Sequence, residues 1–163
     1  MTARTDAPRR QRVLVVSSVG GHLDEVMQLA PVLADHDVAL VVNDECRLPS
    51  FPFRAVYRIC HAERDWRVLV NLAEAARILH VEDPDVIVST GAGPFVPFAL
   101  LARALTHSRI VYVESAAAVT APTLTGRLVY GLVDDFFYQW PELARHFDRG
   151  RLASIVFPSG EGR

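Results

Sequence analysis

The chain contains no lysine: all 17 of its basic residues are arginine. A Walker phosphate loop is therefore excluded, because its lysine is obligatory. Cysteine is scarce as well. Cys46 and Cys60 form neither a metal-ligand spacing nor a disulfide framework, so a reducing cytosol is the expected setting. No apolar run approaches the roughly 18 residues that a membrane helix needs. An excess of positive charge is missing too. The net charge is −2, so no global basic field recruits nucleic acid, and no nucleic-acid partner is expected. The opening MTARTDAPRRQR is charged but has no apolar core behind it, since VLVV stops after four residues. It does not read as a signal peptide. Residues 1–11 are expected to be a disordered polar tail, with Arg9, Arg10 and Arg12 as possible contacts to an anionic surface.

What is present suits one soluble globular domain, expected over 12–158 with a short tail at 159–163: half of the 163 residues are apolar and 22% are charged. Short β-branched runs alternate with helical stretches. Strands are expected at 13–17, 38–42, 85–89, 109–113, 135–139 and 153–157, with a short one at 54–59. A helix at 22–34 places Leu23, Val26, Met27, Ala30 and Leu33 on one stripe, with Pro31 bending or shortening it. A second at 65–80 turns Trp66, Leu69, Val70, Ala73, Ala76 and Leu79 to one face and is capped by Asp65. A third covers 95–105, apolar nearly all round. A fourth covers 141–147, with Pro141 in first position. This alternation predicts an α/β fold: a Rossmann-like parallel sheet with helices on both faces. Right-handed crossovers gather every strand-to-helix loop on one edge, the ligand edge of such sheets.

Three loops meet there. In SSVGGHLDEV, residues 17–26, Gly20 and Gly21 allow a sharp turn, and the helix start offers free N–H groups to an anion. His22 has the ordinary basicity of a general base near neutral pH. A plain glycine turn with a solvated histidine remains the alternative. A dinucleotide fingerprint does not fit, because the glycines are adjacent and no third follows, although Asn43, Asp44 and Glu45 lie where a ribose-binding acid would fall. STGAGPF repeats the pattern with Gly91 and Gly93, and Pro94 can start a helix. The third loop opens with Glu114 and Ser115; the carboxylate either orients His22, binds a sugar hydroxyl or is an exposed loop acid. No metal-ligand spacing is found.

GGH, PDVIVSTGAGP, VES and PTLTGRLVYGLVDDFFYQWPEL, across residues 12–157, together resemble a known family. It is the acceptor-binding subunit of the two-part UDP-N-acetylglucosamine transferase of asparagine-linked glycosylation, an oligosaccharide-biosynthesis family. Bacterial capsule and exopolysaccharide chains are equally similar, and the N-terminal half of MurG more distantly. The resemblance implies the N-terminal half of a GT-B glycosyltransferase that is inverting and uses no cofactor, the UDP-sugar being a co-substrate. It implies a polyprenyl-diphosphate-linked sugar as acceptor, a separate donor-binding subunit as partner, and a place on the cytoplasmic face of the membrane. Carried over, His22 and Glu114 are catalytic, with His22 the base. Ser18, Gly20, Gly21, Gly91 and Gly93 hold the diphosphate, and Thr90 and Ser115 line the acceptor pocket. Phe95, Val96, Phe98 and Leu101, with Phe51 and Phe53 second, are the best candidates for a membrane patch; the alternative is that 95–105 is simply a core helix between the sheet and a neighbouring element. The sequence departs at ESAAAV, where Ala117 or Ala118 replaces an arginine of the relatives. A non-catalytic membrane recruiter and a nucleotide-binding module remain as alternatives.

Overall fold

The computed structural model describes residues 9–43, 48–60 and 67–155. The elements run β1 (Arg12–Ser18), α1 (Gly21–Met27), α2 (Ala30–Leu33), β2 (Asp37–Asn43), β3 (Ala55–Ile59), α3 (Arg67–Glu82), β4 (Val86–Ser89), α4 (Phe95–Leu105), β5 (Arg109–Val113), α5 (Leu124–Val129), β6 (Asp135–Tyr138), a 3-10 helix (Pro141–His146) and β7 (Arg151–Leu152). All seven strands are parallel, in the order β3-β2-β1-β4-β5-β6-β7. The α/β fold expected from the sequence is present. Asp65, Trp66, Cys46, Asp44, Glu45, residues 1–8 of the expected N-terminal tail and all of the expected C-terminal tail lie outside the described residues.

Side chains of a strand alternate between its two faces, and the core is divided accordingly. Leu14, Val16, Ala39 and Val41 point to the face covered by α3, α4 and α5. Val13, Val15, Val38, Leu40 and Val42 point to the face covered by α1 and α2, where Leu23, Val26 and Leu33 meet them. Continuous apolar strands are what burial on both faces demands.

Four local expectations are corrected. The 22–34 helix is two pieces: Pro31 has no N–H to continue the ladder, so Gln28 and Leu29 close α1 with tight bonds to Glu25 and Val26, and Pro31 sits in the first turn of α2. On α3 from residue 70 onward, where side chains are described, the buried residues are Asn71, Ala75, Ile78, Leu79 and Glu82, while Ala73 faces solvent. Glu82 lies on the inner face, where Arg54 and Tyr57 at the sheet edge hydrogen-bond its carboxylate. Residues 141–146 wind as a 3-10 helix, with Leu143 bonding back to Trp140. The last strand among the described residues is Arg151–Leu152, which pairs with Phe137 and Tyr138; of the expected 153–157, residues 153–155 are outside any strand and 156–157 lie outside the described residues.

Of the two readings of 95–105, the structure bears out the core helix. Phe95 and Phe98 are fully buried, and Phe95 stacks on Tyr112 of β5. On α4 the exposed large apolar side chains are Leu100 and Leu105. Phe51 and Phe53 pack half-buried against the core on the α1 face. Arg10 and Arg12 are engaged by Asp37 and Asp83 at the edge opposite the glycine loops. No helix of the described residues is long and apolar enough to cross a membrane.

Candidate functional site

β1 and β4 are neighbours, yet β1 feeds α1 on one face and β4 feeds α4 on the other. A crevice opens between the two loops at such a reversal of strand order. Both loops turn on a glycine in the left-handed region, Gly20 with φ +87° and Gly91 with φ +114°.

His22 stands in the first turn of α1 with its side chain 32% exposed. Its Nδ1 lies 2.9 Å from the carbonyl oxygen of Thr90. A carbonyl can only accept, so Nδ1 carries the proton, and in the neutral ring Nε2 keeps the lone pair. The Thr90 hydroxyl returns the contact, donating to the His22 carbonyl at 2.8 Å. Two reciprocal bonds thus clasp the β1 loop to the β4 loop. Gly91 makes room for the ring: a Cβ there would stand 2.9 Å from Cε1 and 3.2 Å from Nδ1 of His22.

Glu25 lies one turn further along α1. Its Oε1 accepts from the Ser115 hydroxyl at 3.1 Å and the Ala116 N–H at 2.9 Å, which holds the third loop against α1. Its Oε2 is buried without a hydrogen-bond donor and lies 3.9 Å from His22 Nδ1. At that separation the contact is one of charge rather than a hydrogen bond. The Glu25 carboxylate is the main cause that raises the His22 pKa above its ordinary value. Burial opposes it, while the Thr90 carbonyl and the charge of Glu114 add to it. Sequence reasoning passed over Glu25. The signal available was its spacing of three residues from His22 on one helix, which makes the two neighbours.

Glu114 turns the other way. It is fully buried at the end of β5. Oε1 accepts from the Thr123 hydroxyl at 2.7 Å, the Ser115 N–H at 3.0 Å and the Tyr112 hydroxyl at 3.4 Å; Oε2 accepts from the Thr123 N–H at 3.3 Å. Burial pushes its pKa up, and these donors, Thr123 foremost, pull it back. The Thr123 hydroxyl also accepts from the Gly126 N–H and so caps α5. A side chain at Gly126 would collide with the Glu114 carboxylate. The expectation that Glu114 orients His22 is therefore corrected: among the described residues the carboxylate paired with the ring is Glu25. The loop 115–123 folds back and offers donors, and the buried acid takes them.

Of the remaining expected site residues, Thr90 and Ser115 are buried, with their hydroxyls engaged by His22 and Glu25. Ser18 is half-buried where β1 ends beside Asn43. Gly21 and Gly93 are exposed, and a Cβ at either would meet nothing within 4 Å. The N–H groups of Gly21 and His22 have no acceptor among the described residues. Ala118, at the departure from the relatives, is buried in the core, and Ala117 is exposed. No cluster of three metal-ligating side chains occurs among the described residues. Concavities lined by Thr106, His107 and Ser108 lie at the opposite edge, away from the crevice.

The chain and its fold have counterparts among known proteins. The profile of the family described as "Oligosaccharide biosynthesis protein Alg14 like" matches residues 61–156. The UDP-N-acetylglucosamine transferase subunit ALG14 of Yarrowia lipolytica is 35% identical over 92 residues, 53% of this chain and 43% of that protein. The chain thus matches less than half of that relative's length. The ALG14 subunit of Debaryomyces hansenii is 32% identical over 179 aligned positions, 91% of this chain and 77% of that protein. Among solved structures, Acinetobacter baumannii MurG superposes with a TM-score of 0.66 at 13% identity, over 88% of this chain and 45% of MurG. At that identity the likeness shows the fold alone, that of one half of a GT-B enzyme.

Proposed function

The chain belongs to the Alg14-like oligosaccharide-biosynthesis family, and from that premise we propose that it is the acceptor-binding subunit of a two-part inverting glycosyltransferase. A separate donor-binding subunit brings the UDP-sugar, N-acetylglucosamine by analogy with the names of the relatives. The acceptor is a sugar carried on a polyprenyl diphosphate. The complex works peripherally on the cytoplasmic face of a membrane. Val119 and Leu124, exposed on the loop after β5 and at the start of α5, suit contact with an apolar tail.

His22 is the base. Its Nε2 takes the proton of the acceptor hydroxyl as that O–H bond breaks. The oxygen's electron pair forms the new bond to the anomeric carbon, and the carbon–oxygen bond to UDP breaks with its electrons leaving on UDP. No covalent intermediate is needed. The diphosphate of the acceptor is held by backbone N–H groups at Gly20, Gly21 and His22 and by the Gly91–Gly93 turn, where Gly21 and Gly93 leave the approach open. With α1 only seven residues long, the amides themselves matter more than the helix dipole.

The observation that carries the reading is the His22 ring at the switch-point crevice, pinned by Nδ1 to the Thr90 carbonyl with Nε2 left as acceptor. The test is transfer of radiolabelled sugar from UDP-N-acetylglucosamine to a polyprenyl-diphosphate sugar. The chain alone is expected to be inert and the chain with its donor-binding partner active. Full activity of the chain alone would remove the two-part reading.

A further inference from the structure

Glu25 is a carboxylate with two unlike oxygens. One is anchored by two donors from the loop after β5, and the other is buried, undonated and aimed at the His22 ring. A buried carboxylate oxygen without a donor is costly to keep unless a cation faces it. The only group within ion-pair distance of that oxygen among the described residues is His22 Nδ1. The Thr90 carbonyl fixes which nitrogen carries the proton, but it brings only a partial charge. Something else must hold the ring once it is an imidazolium.

We propose that Glu25 is the positioning residue of His22: anchored by Ser115 and Ala116, its undonated oxygen stabilises the ring in the doubly protonated state, so that Nε2 can take up a proton while Nδ1 stays on Thr90. Its use in catalysis rests on the acceptor-subunit reading; the electrostatic link itself does not. Division of labour follows. Thr90 sets the tautomer, Gly91 sets the seat, and Glu25 sets the charge. The anchor also couples the ring to the third loop, since the carboxylate that answers His22 is the one that holds Ser115. Of the charged groups that act on the ring from the packed elements, Glu25 comes from α1 and Glu114 from the end of β5, and Glu114 acts only at longer range.

The test is a pH titration of the full chain by imidazole 15N NMR, with the His22 signal identified by its loss in His22→Asn. In the wild type the neutral ring is expected as the Nδ1–H tautomer, with a midpoint above the ordinary value. In Glu25→Gln, which keeps an oxygen for Ser115 and Ala116, the midpoint falls and the tautomer persists. An unchanged midpoint in folded Glu25→Gln overturns the proposal. If that variant does not fold, the wild type still decides: a midpoint at or below the ordinary value, or an Nε2–H tautomer, overturns it equally. Neither measurement needs the donor subunit or a lipid. An inert complex in the transfer assay would therefore sink the acceptor reading without touching this one.

Discussion

Glu25, half-buried, and Glu114, fully buried, are two acids about one crevice, and they are treated in opposite ways. Glu114 has donors on both oxygens, from Thr123, Ser115 and Tyr112, and it closes a loop. Glu25 has donors on one oxygen and leaves the other facing an ionisable ring. A satisfied carboxylate is a structural group, because nothing remains for it to do. A half-satisfied one retains an unanswered field and can respond to a change of charge. The difference lies in the distribution of donors, which residue type and burial alone do not reveal.

The contrast can be broken from either side. His22→Ala removes the group that Glu25 serves, and it is expected to lower transfer by the assembled enzyme by about 100-fold or more. A wild-type rate would take His22 out of the chemistry. Glu114→Ala should do the reverse: it strands several buried donors and is expected to cost about 3 kcal/mol of folding stability, read as a fall in the urea midpoint. Should Glu114→Ala fold as well as wild type while losing all transfer, the assignment of roles is inverted. Gly126→Ala presses a methyl into the same carboxylate and is expected to cost about 2 kcal/mol by the same measurement. Smaller still is Gly21→Ala, in open space on α1, where stability should change by less than about 0.5 kcal/mol. Its expected effect is weaker retention of polyprenyl diphosphate, seen by calorimetry; unchanged affinity would take the diphosphate away from this turn.

pH separates the two acids as well. His22 is raised in the fold, so its contribution to stability is complete below its ordinary value near 6.5 and is lost as pH rises through the folded value. The rate runs the other way, because the base must be unprotonated, and its acidic limb is expected above the ordinary value. Glu25→Gln should shift that limb toward lower pH. A limb that stays fixed would mean that another group sets it.

The sheet, its helices and the edge that carries the site were legible from strand-length apolar runs and the glycine turns that follow them. The breaks were legible only in part. Pro31 announced the division of the first helix, but nothing in α3 announced that Glu82 would lie inside, because its partners Arg54 and Tyr57 are 28 and 25 residues away. The same limit explains the exchange of Glu114 for Glu25. Both are acids near a turn, and which of them meets the ring depends on donors that arrive only when a distant loop folds over. The two readings of Phe95 and Phe98 stayed open for a related reason: an apolar helix looks the same whether it faces lipid or a neighbouring helix.

The seam under His22 is short. β1 is registered with β2 over seven residue pairs but with β4 over three. The histidine–threonine clasp acts as a rivet beyond the end of that zipper. Anything that wedges into the cleft and draws the two lips together would add teeth to it. Solvent deuterium should then enter the amides of residues 86–91 more slowly when the cleft is filled, a footprint visible without turnover and without any partner protein.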